Sequence, residues 1–289
     1  MDQVDDVSET DWHEFAEWLL PLQNSVQAKD AFPLAPDSIL AADEDGMFEH
    51  VSVAAVVRSF LDSAVDQLGA AYALVSEGGR LSPIGIPTLV RSAIEFCGIG
   101  MWILTGHERV GRQTRALNVA YDSDYNAKKF FNQLCKDDKA PSSVRDEAAK
   151  AAGMHELGCK HSELNAESLG ISRTAVTARL NRTAILKEVD RARETNFFLY
   201  WQLCSGFAHG FAWAPQLFHS YAYTHSLEGG GNLIGRTLDL NSAFHIFDWG
   251  RWAISELEAS FTVGRASLPG HDETATIVAR PQGKPFGTG

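Results

Sequence analysis

The sequence predicts an all-α fold, and three observations carry that reading. Apolar residues recur at three- and four-residue spacing over most of the 289 residues, which is the period of one helix face. Glycine and proline fall between these stretches and punctuate them. Strict alternation, the mark of a strand, is confined to residues 217–240, where a small β-hairpin or an ordered loop is expected. With 45% hydrophobic residues the chain has ample material for a core. No internal repeat is visible.

Taken in order, the first helix covers 11–20, where Trp12, Phe15, Trp18 and Leu19 share a face and Thr10 is the expected N-cap. Phe32–Pro36 with its two prolines, and the acidic run Asp43-Glu44-Asp45-Gly46, read as loop. A long helix over 51–75 closes at Gly78-Gly79, and a second over 87–105 stops at Gly106. A third covers 107–136, and Pro141-Ser142-Ser143 starts a fourth over 144–157. A short helical pair follows at 165–182, then one long helix over 183–213 that Pro215 ends. The last helix spans 242–263. The Gly-, Pro- and Thr-rich stretch 267–289 lacks periodicity and is expected to be a disordered tail.

Charge divides the chain. Residues 1–46 form an acidic N-terminal arm with one amphipathic helix, 47–266 a helical bundle, and 267–289 the tail. Residues 1–50 hold 13 of the 37 acids and one of the 25 Lys and Arg residues, so the whole net charge of −12 lies there. The body is neutral, and its ligands cannot be read from the overall balance. No basic-plus-apolar leader opens the chain, and the most apolar helix carries Arg91 and Glu95 near its middle. A cytoplasmic protein without a membrane span is expected. The four cysteines have no paired spacing and read as reduced thiols.

The candidate site centres on Tyr200–Gly210, which sets Ser205 and His209 four residues apart in an apolar, aromatic stretch. On one continuous helix they share a face, and buried polar groups there need partners. Arg91 and Glu95, with Gly98 and Trp102, make one stripe on another apolar helix and are the expected partners. Arg109, Arg112 and Arg115 fall on an arc of about 120°. They form a solvated basic face, pair with the acidic arm, or make a phosphate-facing rim beside that stripe, with Arg109 and Arg112 as the phosphate-binding residues.

These motifs resemble a set of bacterial helical proteins placed near the HEPN superfamily and the abortive-infection proteins. The resemblance rests on Leu89-Val90-Arg91-Ser92-Ala93-Ile94-Glu95, on Glu108-Arg109-Val110-x-Arg112, and on Tyr200-x3-Cys204-Ser205-Gly206-x2-His209-Gly210. It implies a HEPN-like multi-helix bundle and an RNA or nucleotide as partner. Many members cleave RNA without a metal, and such bundles often pair as homodimers. Their signature places an Arg four to six residues before a His. Here that window holds Leu203, Cys204 and Ser205 instead. In a ribonuclease reading His209 is the acid/base, and phosphate stabilisation falls to Arg91 or Arg112. The alternative is a non-catalytic interaction protein in which Arg91, Glu95, Ser205 and His209 form a structural polar network.

Two further patterns bear on function. Residues 166–180 match a helix-turn-helix, with Gly170 in the turn and Arg173, Thr174, Thr177 and Arg179 toward a groove. A DNA-binding regulator acting through this segment is the third reading, although few bases flank it and DNA is not the expected partner. His155-Glu156-x2-Cys159 misses the zinc-protease pattern by its second His, and Gly158 disfavours a continuous helix there. No cofactor or metal is expected.

Overall fold

The computed structural model describes residues 7–28, 32–47, 51–79, 81–211, 213–214, 221–226, 232–236, 238–267 and 277. The protein is an all-helical bundle. Helix α1 (Glu9–Gln27) starts two residues earlier than its periodicity suggests, because Ser8 caps it. The Asp11 amide donates to the Ser8 hydroxyl at 3.3 Å, and the Ser8 amide donates to the Asp11 carboxylate at 2.7 Å, a reciprocal capping box. The Ser8 hydroxyl, also donating to the Asp11 carboxylate at 2.7 Å, together with the Ser8 amide holds the Asp11 carboxyl below its usual range.

Helix α1 is no free arm. Phe15, Leu19, Leu22 and Val26 are buried in the main core, and Trp12 and Phe15 meet Phe247 at centroid distances of 5.3 and 5.4 Å. The acidic residues line its outer face while its aromatic stripe packs inward, so charge alone could not show where this segment sits. Between the two stretches expected as loop lies a short helix, α2 (Ile39–Asp43), which is capped by Ser38 and takes in the first residue of the acidic run, a buried Asp43.

Helices α3 (Val53–Ser76) and α4 (Gly85–Leu104) follow the predicted periodicity. Helix α4 is the central rod, with twelve buried residues. By length and composition it is the one helix among the described residues long and apolar enough to cross a membrane, yet 61% of that window is buried inside the protein. Helix α5 (Glu108–Cys135) packs along α6 (Ser142–Ser168) as a long antiparallel pair. Helix α6 runs through Gly158 without a break. A Cβ at that position would stand 2.1 Å from Asp124 Oδ2, so the glycine permits close approach of α5.

No helix-turn-helix forms at 166–180. After the turn at Gly170 (φ +67°), α7 (Arg173–Val176) is only four residues long. Asn118 of α5 explains why. Its amide donates to the carbonyls of Val176 and Ala178, both at 2.7 Å, and so occupies acceptors that a longer helix would use internally.

The long helix expected over 183–213 is two helices, α8 (Arg182–Arg193) and α9 (Phe197–Ala208). Glu194 adopts a left-handed conformation (φ 55°) between them. The Asp190 carboxylate accepts from the amides of Phe197 (2.7 Å) and Phe198 (3.0 Å), so the end of one helix caps the start of the next. Arg193 then ties α8 to Glu256 in a buried pair at 3.2 Å.

Two short strands, β1 (Tyr221–Ser226) and β2 (Asn232–Arg236), pair antiparallel. Helix α10 (Leu240–Arg265) closes the core against α3 and α4. Of the predicted tail, Ser267 donates its hydroxyl to Asp37 and Ile277 is buried against Leu40 and Gly264. The other tail residues lie outside the described ones.

Candidate functional site

The stripe on α4 is real as a unit, and it faces α8 and α9. Glu95 is its hub, with 13% of its side chain exposed. Its carboxylate receives Arg91 Nη2 at 3.2 Å, Trp201 Nε1 at 2.8 Å and Arg182 Nε at 2.6 Å. Arg91 also donates from Nε to the Ser205 hydroxyl at 2.8 Å, and its guanidinium lies 5.0 Å from the Trp201 ring centre. Ser205 in turn donates to the Trp201 carbonyl at 2.7 Å. The hydroxyl therefore gives its one proton to the backbone and accepts from a cation. Three helices are joined at one carboxylate.

His209 does not join them. It is the exposed C-cap of α9, with its ring 5.7 Å from that of Phe211. The cause is local. Gly210 turns left-handed (φ +68°), the Phe211 amide bonds back to the Gly206 carbonyl, and the Gly210 amide bonds to that of Phe207. This is a Schellman ending, so α9 stops one turn after Ser205 and leaves His209 exposed at its end.

The arginines of α5 are also placed differently from a phosphate rim. Arg112 is 1% exposed and makes paired bonds to Asp43 at 2.6 and 2.8 Å. Arg109 donates to the Asp45 carbonyl at 2.6 Å and approaches its carboxylate at 3.6 Å. Both are taken up by the acidic turn after α2, the pairing with the acidic segment that was one of the expectations. Arg115 forms a second hub at the far end of the stripe. It bonds to the Trp102 carbonyl and to Glu188 (2.6 Å), lies 4.8 Å over the Trp102 ring, and Trp102 Nε1 bonds Glu188 at 3.0 Å. Burial pulls the Arg115 guanidinium down, with Glu188 opposing, and it stays cationic.

Sequence reasoning thus found Arg91, Glu95 and Ser205 as a group and missed Trp201, Arg182 and Glu188. Trp201 could have been found, since it lies four residues before Ser205 on the same helix. Arg182 and Glu188 sit on α8, and nothing in their spacing signals α4.

His155, the near miss to a zinc pattern, instead shares a hydrogen bond with Asp124 at 2.8 Å and lies parallel to Phe131. Among the described residues no group of three or more His, Cys, Asp or Glu is placed to hold a metal ion. Cys204, beside the hub, is fully buried, and burial pushes its thiol up to about 12, with Arg91 opposing. In the folded protein at about pH 8 Cys204 is expected to resist alkylation, since the thiolate is the reactive form. Mass spectrometry after a pulse of iodoacetamide checks this. Labelling before unfolding would mean that α9 opens.

The geometry joins helices by partly buried polar groups and, among the described residues, brings no free nucleophile, base and cation together. Comparison with protein-family models, with curated proteins and with solved structures gave no match.

Proposed function

We propose that this chain is a non-catalytic helical binding protein, and that the Arg91–Glu95–Trp201–Ser205 group is its structural lock. One observation carries the reading: among the described residues, the polar atoms of Glu95 and Ser205 are already engaged by structural partners. Glu95 is bound by three donors and Ser205 by a donor and an acceptor. His209 stands apart at the end of α9. A general base must reach the proton that it abstracts, and among the described residues the Ser205 hydroxyl hydrogen-bonds only to its structural partners. The resemblance to HEPN-like bundles supports an RNA or nucleotide as the ligand, bound without cleavage.

Three variants test this. Glu95→Gln is expected to lower stability by about 2 kcal/mol, because bonds to charged groups are each worth about 1.5–3 kcal/mol. Ser205→Ala should cost about 1 kcal/mol. His209→Ala, at an exposed cap, should leave the melting temperature unchanged. Cleavage of a labelled single-stranded RNA should stay at background for the wild type and all three. RNA cleavage by the wild type that His209→Ala abolishes, with the fold intact, would overturn the proposal.

A further inference from the structure

Beyond Val119, α5 buries no residue, yet it carries an aromatic face there. Tyr121 and Tyr125, four residues apart, have nearly parallel rings (13°) with centroids 6.1 Å apart, and Tyr125 is 46% exposed. Lys129 continues the same face one turn later. Opposite lies the irregular segment 177–181, which follows α7 and leads into Arg182 at the start of α8. A cleft of about 600 Å³ separates the two walls. That size suits a small ligand.

The charge of the cleft is lopsided. Lys129, Arg179 and Arg182 line it against one acid, Asp122, which is engaged with the Asn126 amide at 3.0 Å. Among the described residues Lys129 and Arg179 form no ion pair of the kind that absorbs Arg109, Arg112 and Arg115, and both are exposed. The far wall is fixed before any ligand arrives. Asn118 holds the Val176 and Ala178 carbonyls, and Glu95 holds Arg182 at 2.6 Å. A rigid wall reduces the ordering cost of binding.

From this juxtaposition we propose that the cleft between α5 and residues 177–182 binds a nucleoside phosphate, its base against the Tyr121/Tyr125 rings and its phosphate on Arg179 and Lys129. Aromatic faces accept any base by stacking, and guanidinium and ammonium groups take the phosphate. The shared chemistry, a base joined to a phosphate, occurs both in free mononucleotides and in single-stranded RNA. The proposal specifies a site for the binding-protein reading, and it is judged by titration, whereas that reading is judged by cleavage.

Titration of the full chain at low salt with AMP, with hexa-adenylate RNA, with adenosine and with inorganic phosphate tests it. Saturable binding of AMP or of the RNA is expected, with adenosine and phosphate each at least tenfold weaker than the better of the two. Binding equal for AMP and RNA points to the free nucleotide. Tighter, steeply salt-dependent binding of the RNA points to the strand. Arg179→Glu and Tyr125→Ala, both at exposed positions outside the core, should each weaken binding at least tenfold with an unchanged melting temperature. The proposal is overturned if neither nucleotide binds at millimolar concentration, if inorganic phosphate binds as tightly, or if both variants bind like the wild type.

Discussion

Replacing Asp43 with alanine is expected to destabilise the folded chain by about 3–5 kcal/mol, the usual cost of leaving one partner of a buried ion pair uncompensated. Asp43 is fully buried and Arg112 is 1% exposed, so water cannot take over the lost bonds at 2.6 and 2.8 Å. The Asp43 carbonyl also accepts from the Gln113 amide at 2.8 Å, so the turn after α2 is fixed to α5 at adjacent positions. Burial pushes the Asp43 carboxyl up, while Arg112 pulls it down. That balance marks a pair held at a desolvation cost, and an apolar pair of similar size should be tolerated. The double substitution Asp43→Leu with Arg112→Met should therefore recover most of the loss seen in Asp43→Ala. Urea unfolding of the three proteins measures it. A single-variant cost below about 1 kcal/mol would show that the pair is solvated.

The second large effect is expected at Phe15. Truncation to alanine should cost about 3–5 kcal/mol, as for other fully buried phenylalanines. Its ring lies 5.4 Å from Phe247 and 5.7 Å from Tyr72, joining α1 to α10 and α3. Leu20→Ala, on the exposed side of the same helix at 50% exposure, should change stability by less than about 0.5 kcal/mol. Equal effects at the two positions would mean that α1 does not belong to the core. Denaturant midpoints separate the outcomes.

Much of this fold is legible in the sequence because its helices are amphipathic. The apolar period gives α3, α4 and α5 to within a few residues, and it gives the stripe Arg91–Glu95–Gly98–Trp102 as one face. Local chemistry also announces some ends. The Ala-His-Gly sequence at 208–210 is a C-cap signal, and reading it would have stopped α9 at His209. Other breaks carry no such mark. Asp190 ends one helix by capping the next, across six intervening residues, and Gly158 sits inside α6 only because Asp124 of another helix occupies the space beside it.

The sequence by itself determined the helical class, the polar face of α4 and the serine that answers it. Those depend on periodicity, and periodicity is local. Only the tertiary structure decided which charges meet. It drew Arg109 and Arg112 to the acidic turn at Asp43–Asp45, brought Arg182 and Trp201 to Glu95, and left the tyrosines of α5 facing Arg179 across a cleft. The physical reason is that a charge on a helix face takes its partner from whatever element packs there, and that choice is fixed by the burial of apolar surface elsewhere.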